Sequence, residues 1–251
     1  MSDAAATSYL HLFAHVALRP DPQLDLGQAA LLIAEPEYPG LDVAHYVAML
    51  DHLGEEARRR LGTGGMKQAQ CLGELLYQVV GFEGNESDYY NPRNSFLNEV
   101  LDRRTGIPVT LAVVYLEVAR RAGVVAQGIN FPRHFLVQVS EPDGFVIVDP
   151  FTGALLERAD LRRLHQRVNR EDRDPEPWQL EPMTKRQILM RMLRNLVFIY
   201  RSRGDQPRLR RTLEQLSVLA PEDEAVCNEL RSLGGSPYVA STPPSGSQPR
   251  N

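Results

Sequence analysis

The stretch GIPVTLAVVYLEVARRAG (residues 106–123) runs directly into VVAQGINFPRHFLVQVSEPDGFVIVDP (residues 124–150), and the two together decide the fold. In the first, Pro108 suits an opening helical turn, because its missing N–H has no intrahelical partner to lose there. Leu111, Val114, Tyr115 and Val118 form one stripe of the predicted helix over residues 109–121. Ala112, Val113, Leu116 and Ala119 cover most of the rest, and a helix apolar nearly all round belongs in the centre of a core. Gly123 ends it. In the second, residues 124–131, 134–139 and 145–148 are short and rich in β-formers, and the intervening Glu141, Pro142, Asp143 and Gly144 have tight-turn chemistry. One buried helix followed by consecutive antiparallel strands predicts an α+β arrangement of packed layers.

Upstream, the pattern is helical. Residues 9–18 form a short candidate, and in residues 25–34 Leu26, Ala29, Ala30 and Ile33 follow amphipathic spacing. Asp42 is placed to cap a helix through about residue 61, ended by the glycine-rich residues 62–65. Residues 68–80 carry Cys71, Leu72, Leu75, Leu76 and Val79 on the next helix. The polar run 83–94 contains YYNPRN (residues 89–94), and a short helix over residues 95–103 should follow. Downstream, residues 154–182 read as a polar connector with a linker at 172–177, and Trp178 as an anchor. Helices over residues 185–203 and 207–219, broken at Gly204 and Asp205, make a unit the size of one tetratricopeptide repeat, which needs a neighbour to bury its apolar face.

With 43% hydrophobic and 24% charged residues, the 251-residue chain can bury a substantial core. Its net charge of -4 argues against nucleic acid as a partner, since phosphate binding needs a basic excess. No apolar run reaches membrane-spanning length, and no signal-peptide pattern opens the chain, so a cytoplasmic location is expected. The two cysteines, Cys71 and Cys227, are no disulfide framework.

Among the six histidines His134 has the informative setting. It is expected to open a strand, while Asp149 closes the next one. If the hairpin is symmetric about residues 141–144, His134 lies opposite or diagonal to Asp149, and directly opposed Cβ atoms are roughly 4.5–5.5 Å apart. A bulged loop would shift that register. A carboxylate behind an imidazole fixes its tautomer and stabilises the imidazolium, as a general base requires. The plainer reading is a hydrogen bond with no catalytic role.

NSFLNEVLDRRTGIP (94–108), YLEVARR (115–121), GINFP (128–132), HFLV (134–137) and VDPF (148–151) resemble the SirB-type transglutaminase-like family. EYP (37–39) with LDV (41–43) resembles that family's N-terminal helical segment. RMLRNL (191–196) with Tyr200, Gly204 and Asp205 resembles its C-terminal tetratricopeptide segment. The similarity covers most of residues 20–225. It implies an N-terminal helical segment (1–82), a transglutaminase-like α+β core (83–182) with its central helix on a small antiparallel sheet, a tetratricopeptide-like hairpin (183–233) and a disordered tail (234–251).

Active members of the wider superfamily use a cysteine at the start of the buried helix, then histidine, then aspartate on adjacent strands. A helix N-terminus lowers a thiol pKa, and a neighbouring imidazole takes its proton. The resemblance places His134 and Asp149 as the second and third members. It puts Pro108 at the cysteine position, with Thr110 nearby. Arg133 stands where many members have a small residue.

Three readings follow. The favoured one is a non-catalytic regulatory module that keeps a remnant His134–Asp149 dyad and binds a protein partner, with no cofactor and no metal. The second is a cysteine-type hydrolase or acyltransferase with a displaced nucleophile, Cys71 or Thr110, although a lone cysteine on an apolar helix is ordinarily inert core. The third is a small-ligand or metal-binding protein. Tyr89, Tyr90, Asn91, Arg93, Asn94 and Arg133 are the candidate rim of the cleft, since loops of this kind carry binding residues.

Overall fold

The structure is a computed structural model that describes residues 3–62, 67–170 and 172–239. Helix α6 (Pro108–Ala122) is its axis: every residue from Pro108 to Ala119 is buried. Gly123 closes the helix at φ 83°, a left-handed conformation that glycine adopts without a Cβ clash. Around α6 pack α2 (Leu26–Leu32), α3 (Val43–Gly62), α4 (Gln68–Gly73) and α5 (Leu97–Arg103), and α1 (Asp3–Ala17) packs on α2. Asp25 caps α2 by accepting from the Gln28 N–H, and Asp42 accepts from the His45 N–H at the start of α3. After α4 the coil widens into a π-helical run, Glu74–Val79. The two-residue strands β1 (Glu83–Gly84) and β2 (Thr105–Gly106) pair in parallel just before α6.

The main sheet is an antiparallel meander of β3 (Ala126–Ile129), β4 (Leu136–Glu141), β5 (Gly144–Asp149) and β6 (Ala154–Leu156). Alternation sorts its side chains between two layers. Val137, Val139 and Val148 join the core around α6, whereas Ile129, Leu136 and Ile147 pack with Leu161 and Leu164 of α7 (Arg158–Asn169). The mixed α+β reading therefore holds.

The region read as a polar connector contains α7. Its apolar content is only a stripe of Leu161, Leu164 and Val168, hidden among arginines on the solvent face. Trp178, expected as an anchor, is 65% exposed. The next helices are α8 (Lys185–Arg203) and α9 (Gln206–Leu219), followed by α10 (Glu224–Ser232), which the sequence reading did not anticipate. Thr184 and Gln187 form a capping box at the start of α8. The α8–α9 pair shares one apolar core with α6. It is further tied down by Asn195 Nδ2 donating to Ser95 Oγ at 2.7 Å and by Gln215 Nε2 donating to the Leu32 carbonyl at 3.2 Å. The tail from Gly234 lies beyond residue 239 outside the described residues. Its first part, expected to be without structure, is held where the Tyr238 N–H donates to Ser217 Oγ. Among the described residues no helix is long and apolar enough to cross a membrane.

Candidate functional site

The β4–β5 loop is the two-residue turn Pro142-Asp143, with Val137 opposite Val148 and Glu141 opposite Gly144. That register centres the hairpin one residue later than symmetry between His134 and Asp149 requires. His134 accordingly does not open the strand: β4 begins at Leu136, and His134 lies in the preceding turn. Pro132 and a left-handed Arg133 (φ 56°) make that turn, closed by the His134 N–H donating to the Phe131 carbonyl at 2.9 Å. The imidazole thus approaches Asp149 diagonally, a separation that long side chains span. His134 Nε2 lies 2.9 Å from Asp149 Oδ1, and the Phe151 N–H donates to the same oxygen at 2.9 Å. With Nε2 committed to the carboxylate, Nδ1 is the nitrogen left to exchange a proton with anything else.

The loop after Asp149 is built to hold this corner. Tyr77 donates its hydroxyl to the Pro150 carbonyl at 2.9 Å. The Phe151 ring stands edge-on to His134 at 6.3 Å and 6.1 Å from Tyr89. It also lies against Gly84, where any Cβ would fall 2.4 Å from the ring. Gly84 pairs with Gly106, which leads through Ile107 into Pro108. Phe151 therefore links the imidazole to the ribbon that starts α6. Sequence reading passed over Phe151, Gly84 and Tyr77 as site residues; the only cue was an aromatic residue directly after Asp149-Pro150.

The candidate nucleophiles are poorly suited. Pro108 is buried at the first position of α6 and has no heteroatom in its side chain. Thr110 is fully buried, and its hydroxyl has no hydrogen-bond partner and hence no base. Cys71 is buried on α4, and that burial pushes its thiol pKa up, with Arg60 opposing and Glu74 adding to the rise. A nucleophilic thiol needs the opposite shift.

The proposed rim divides. Tyr89 faces the corner through Phe151. Asn94, expected at the rim, is fully buried: its amide donates to the Asp88 carbonyl at 2.7 Å, its Oδ1 accepts from Asn85, and its carbonyl accepts from the Ile107 N–H. It is a strut fastening the loop to the start of α6. Asn91 caps the 3-10 turn Pro92–Ser95. Arg93 pairs with Glu99 of α5 at 2.7 Å, and the Tyr90 ring packs at a tilt against Phe198 of α8, so Tyr90 faces the C-terminal helices. Arg133 points to solvent. Among the described residues no three or more of His, Cys, Asp and Glu gather as a metal site would need.

A buried helix on an antiparallel sheet is the layout that the sequence resemblance implied, while His134, expected on a strand, reaches Asp149 of β5 from the turn before β4. The chain belongs to the transglutaminase-like superfamily, whose family model matches residues 44–194. A UPF0162 protein of Xylella fastidiosa is 37% identical over 84% of this chain and 78% of its own length. One from Pseudomonas aeruginosa is 30% identical over 78% of this chain and 72% of its own. A shorter similarity, 48% identity over 68 residues, relates 27% of this chain to 11% of the mouse F-box only protein 21. No solved structure matches the chain.

Proposed function

We propose that this protein is a non-catalytic transglutaminase-like module of the SirB type, cytoplasmic, that binds a protein partner in a regulatory role. The observation that carries this reading is the start of α6, where the resemblance puts Pro108 at the nucleophile position. His134 and Asp149 supply a base and its orienting carboxylate, but a base without a nucleophile performs no acyl transfer. The tetratricopeptide-like pair α8–α9 contributes to the partner surface. Tyr90 and Phe198, 55% and 49% exposed, pack against one another there, and aromatic residues are favoured anchors at protein interfaces.

The test is the alkylation rate of Cys71 against pH, in the wild type and in His134→Ala. A slow thiol, indifferent to His134, is expected. A thiolate forming well below the usual pKa of about 8.5, and lost with the imidazole, would restore the enzyme reading with Cys71 as a displaced nucleophile.

A further inference from the structure

Three segments that the His134 corner leaves unused converge elsewhere. Residues 37–38, 92–96 and 200–208 line a cavity of about 280 Å³ between the N-terminal helices, the loop before α5 and the α8–α9 turn. That is just under the ~300–1,000 Å³ of drug-sized pockets, room for a small molecule and not for a folded segment.

Its charges do not balance. Glu37 accepts from Arg208 Nε at 2.7 Å and Arg211 Nη2 at 3.0 Å, and Asp205 accepts from Arg208 Nη1 at 2.8 Å. Glu99 accepts from Arg93 at 2.7 Å and from the Tyr38 hydroxyl at 2.8 Å. The three carboxylates are thus met by Arg93, Arg208 and Arg211. The fourth guanidinium, Arg203, donates only to the Tyr90 carbonyl at 3.0 Å and pairs with no carboxylate among the described residues.

A second observation points the same way. Tyr200 is 3% exposed and lines the cavity, yet its hydroxyl has no hydrogen-bond partner among the described residues. The hydroxyl oxygen is the part of the residue that opens on the cavity, so it is a donor available to whatever occupies that space. Burial, with Glu37 nearby, also pushes its pKa up and keeps the proton on the phenol. Nearby, Arg211 Nε is a buried donor without a partner.

We propose that this cavity binds the carboxylate of a small organic acid, held between the Arg203 guanidinium and the Tyr200 hydroxyl. One surplus cation matches one carboxylate, and guanidinium and phenol both donate to it.

Calorimetric titration of the full chain with butyrate, butyramide and inorganic phosphate tests this. Saturable millimolar binding of butyrate, absent for butyramide, is expected. Arg203→Gln should weaken it about tenfold or more, and Tyr200→Phe, which keeps the ring, about three- to tenfold. Arg194→Gln, which removes a cation on the outer face of α8, should leave it unchanged. No saturable binding of butyrate, or affinity equal in Arg203→Gln, Tyr200→Phe and the wild type, overturns the proposal. Phosphate binding more tightly than butyrate overturns the carboxylate assignment in favour of a phosphorylated ligand.

Discussion

The His134–Asp149 corner and the arginine junction around Tyr200 are built on opposite terms. In the corner, polar groups have found partners: Asp149 Oδ1 takes both the imidazole and the Phe151 N–H, and Tyr77 holds the Pro150 carbonyl. On the proposed reading, what the corner lacks is a reacting atom. At the junction, three carboxylates are paired, while Arg203 and the Tyr200 hydroxyl are left over. The corner is where the chain resembles its superfamily. The junction is where its own side chains still have something to bind. Likeness of motif and unmet polar capacity are separate signals, and here they fall in different places.

The largest expected effect tests whether the junction is rigid at all. Leu193→Ala removes a fully buried side chain of α8 from the core it shares with α6 and should cost about 2–5 kcal/mol in urea unfolding. A loss under about 1 kcal/mol would mean α8 is only loosely docked and the cavity is not preformed. Next, Gly84→Ala pushes a Cβ into the Phe151 ring and should cost about 1–3 kcal/mol, with the ring and His134 resonances displaced and those of Tyr200 unchanged. Movement at both regions would erase the contrast between them.

Asp205→Ala should cost about 1 kcal/mol, because Asp205 caps α9 through the Arg208 N–H. Burial works against the Asp205 carboxylate, but the hydrogen bonds from the Arg208 side chain and backbone hold its pKa below the usual carboxylate range. The charge-dependent share of the stabilisation is therefore present above the ordinary carboxylate pKa of about 3.9 and disappears as pH falls through the lowered value. Stability curves of wild type and variant should converge on acidification; a constant gap would show that the charge contributes nothing. The smallest effect is a gain: Arg133→Gly relieves a left-handed backbone and should stabilise the corner by about 0.5–1 kcal/mol. A loss instead would mean that the exposed Arg133 side chain makes a contact worth more than the strain.

Much of the architecture was readable because the signals were local. The apolar stretch of α6 between Pro108 and Gly123, and the long helical pattern over residues 185–203 that becomes α8, are local signals of this kind. Helix α7 escaped because three apolar residues among arginines look like a solvated connector until a sheet face is present to cover them. The hairpin and its symmetry about residues 141–144 were legible, with His134 diagonal to Asp149 as one of the two placements expected. The turn at Pro132 and Arg133 that keeps His134 ahead of β4 was not. Asn94 looked like a rim residue because polar loops often are, and only its buried contacts show it to be a strut. The meeting of Arg203 with Tyr200 and Glu37 depends on the docking of three distant segments, which no local pattern encodes.

The most direct test of a transglutaminase-like site missing only its nucleophile is the thiol pKa of Pro108→Cys, followed by alkylation of that one peptide, with and without His134→Ala. A thiolate forming well below about 8.5, and shifting back up when His134 is removed, is the expected result, since the helix start and the imidazole both favour it. A thiol that titrates at its ordinary value, or one lowered equally in the presence and absence of His134, would contradict the assignment of Pro108 to the nucleophile position and of His134–Asp149 to the remnant dyad.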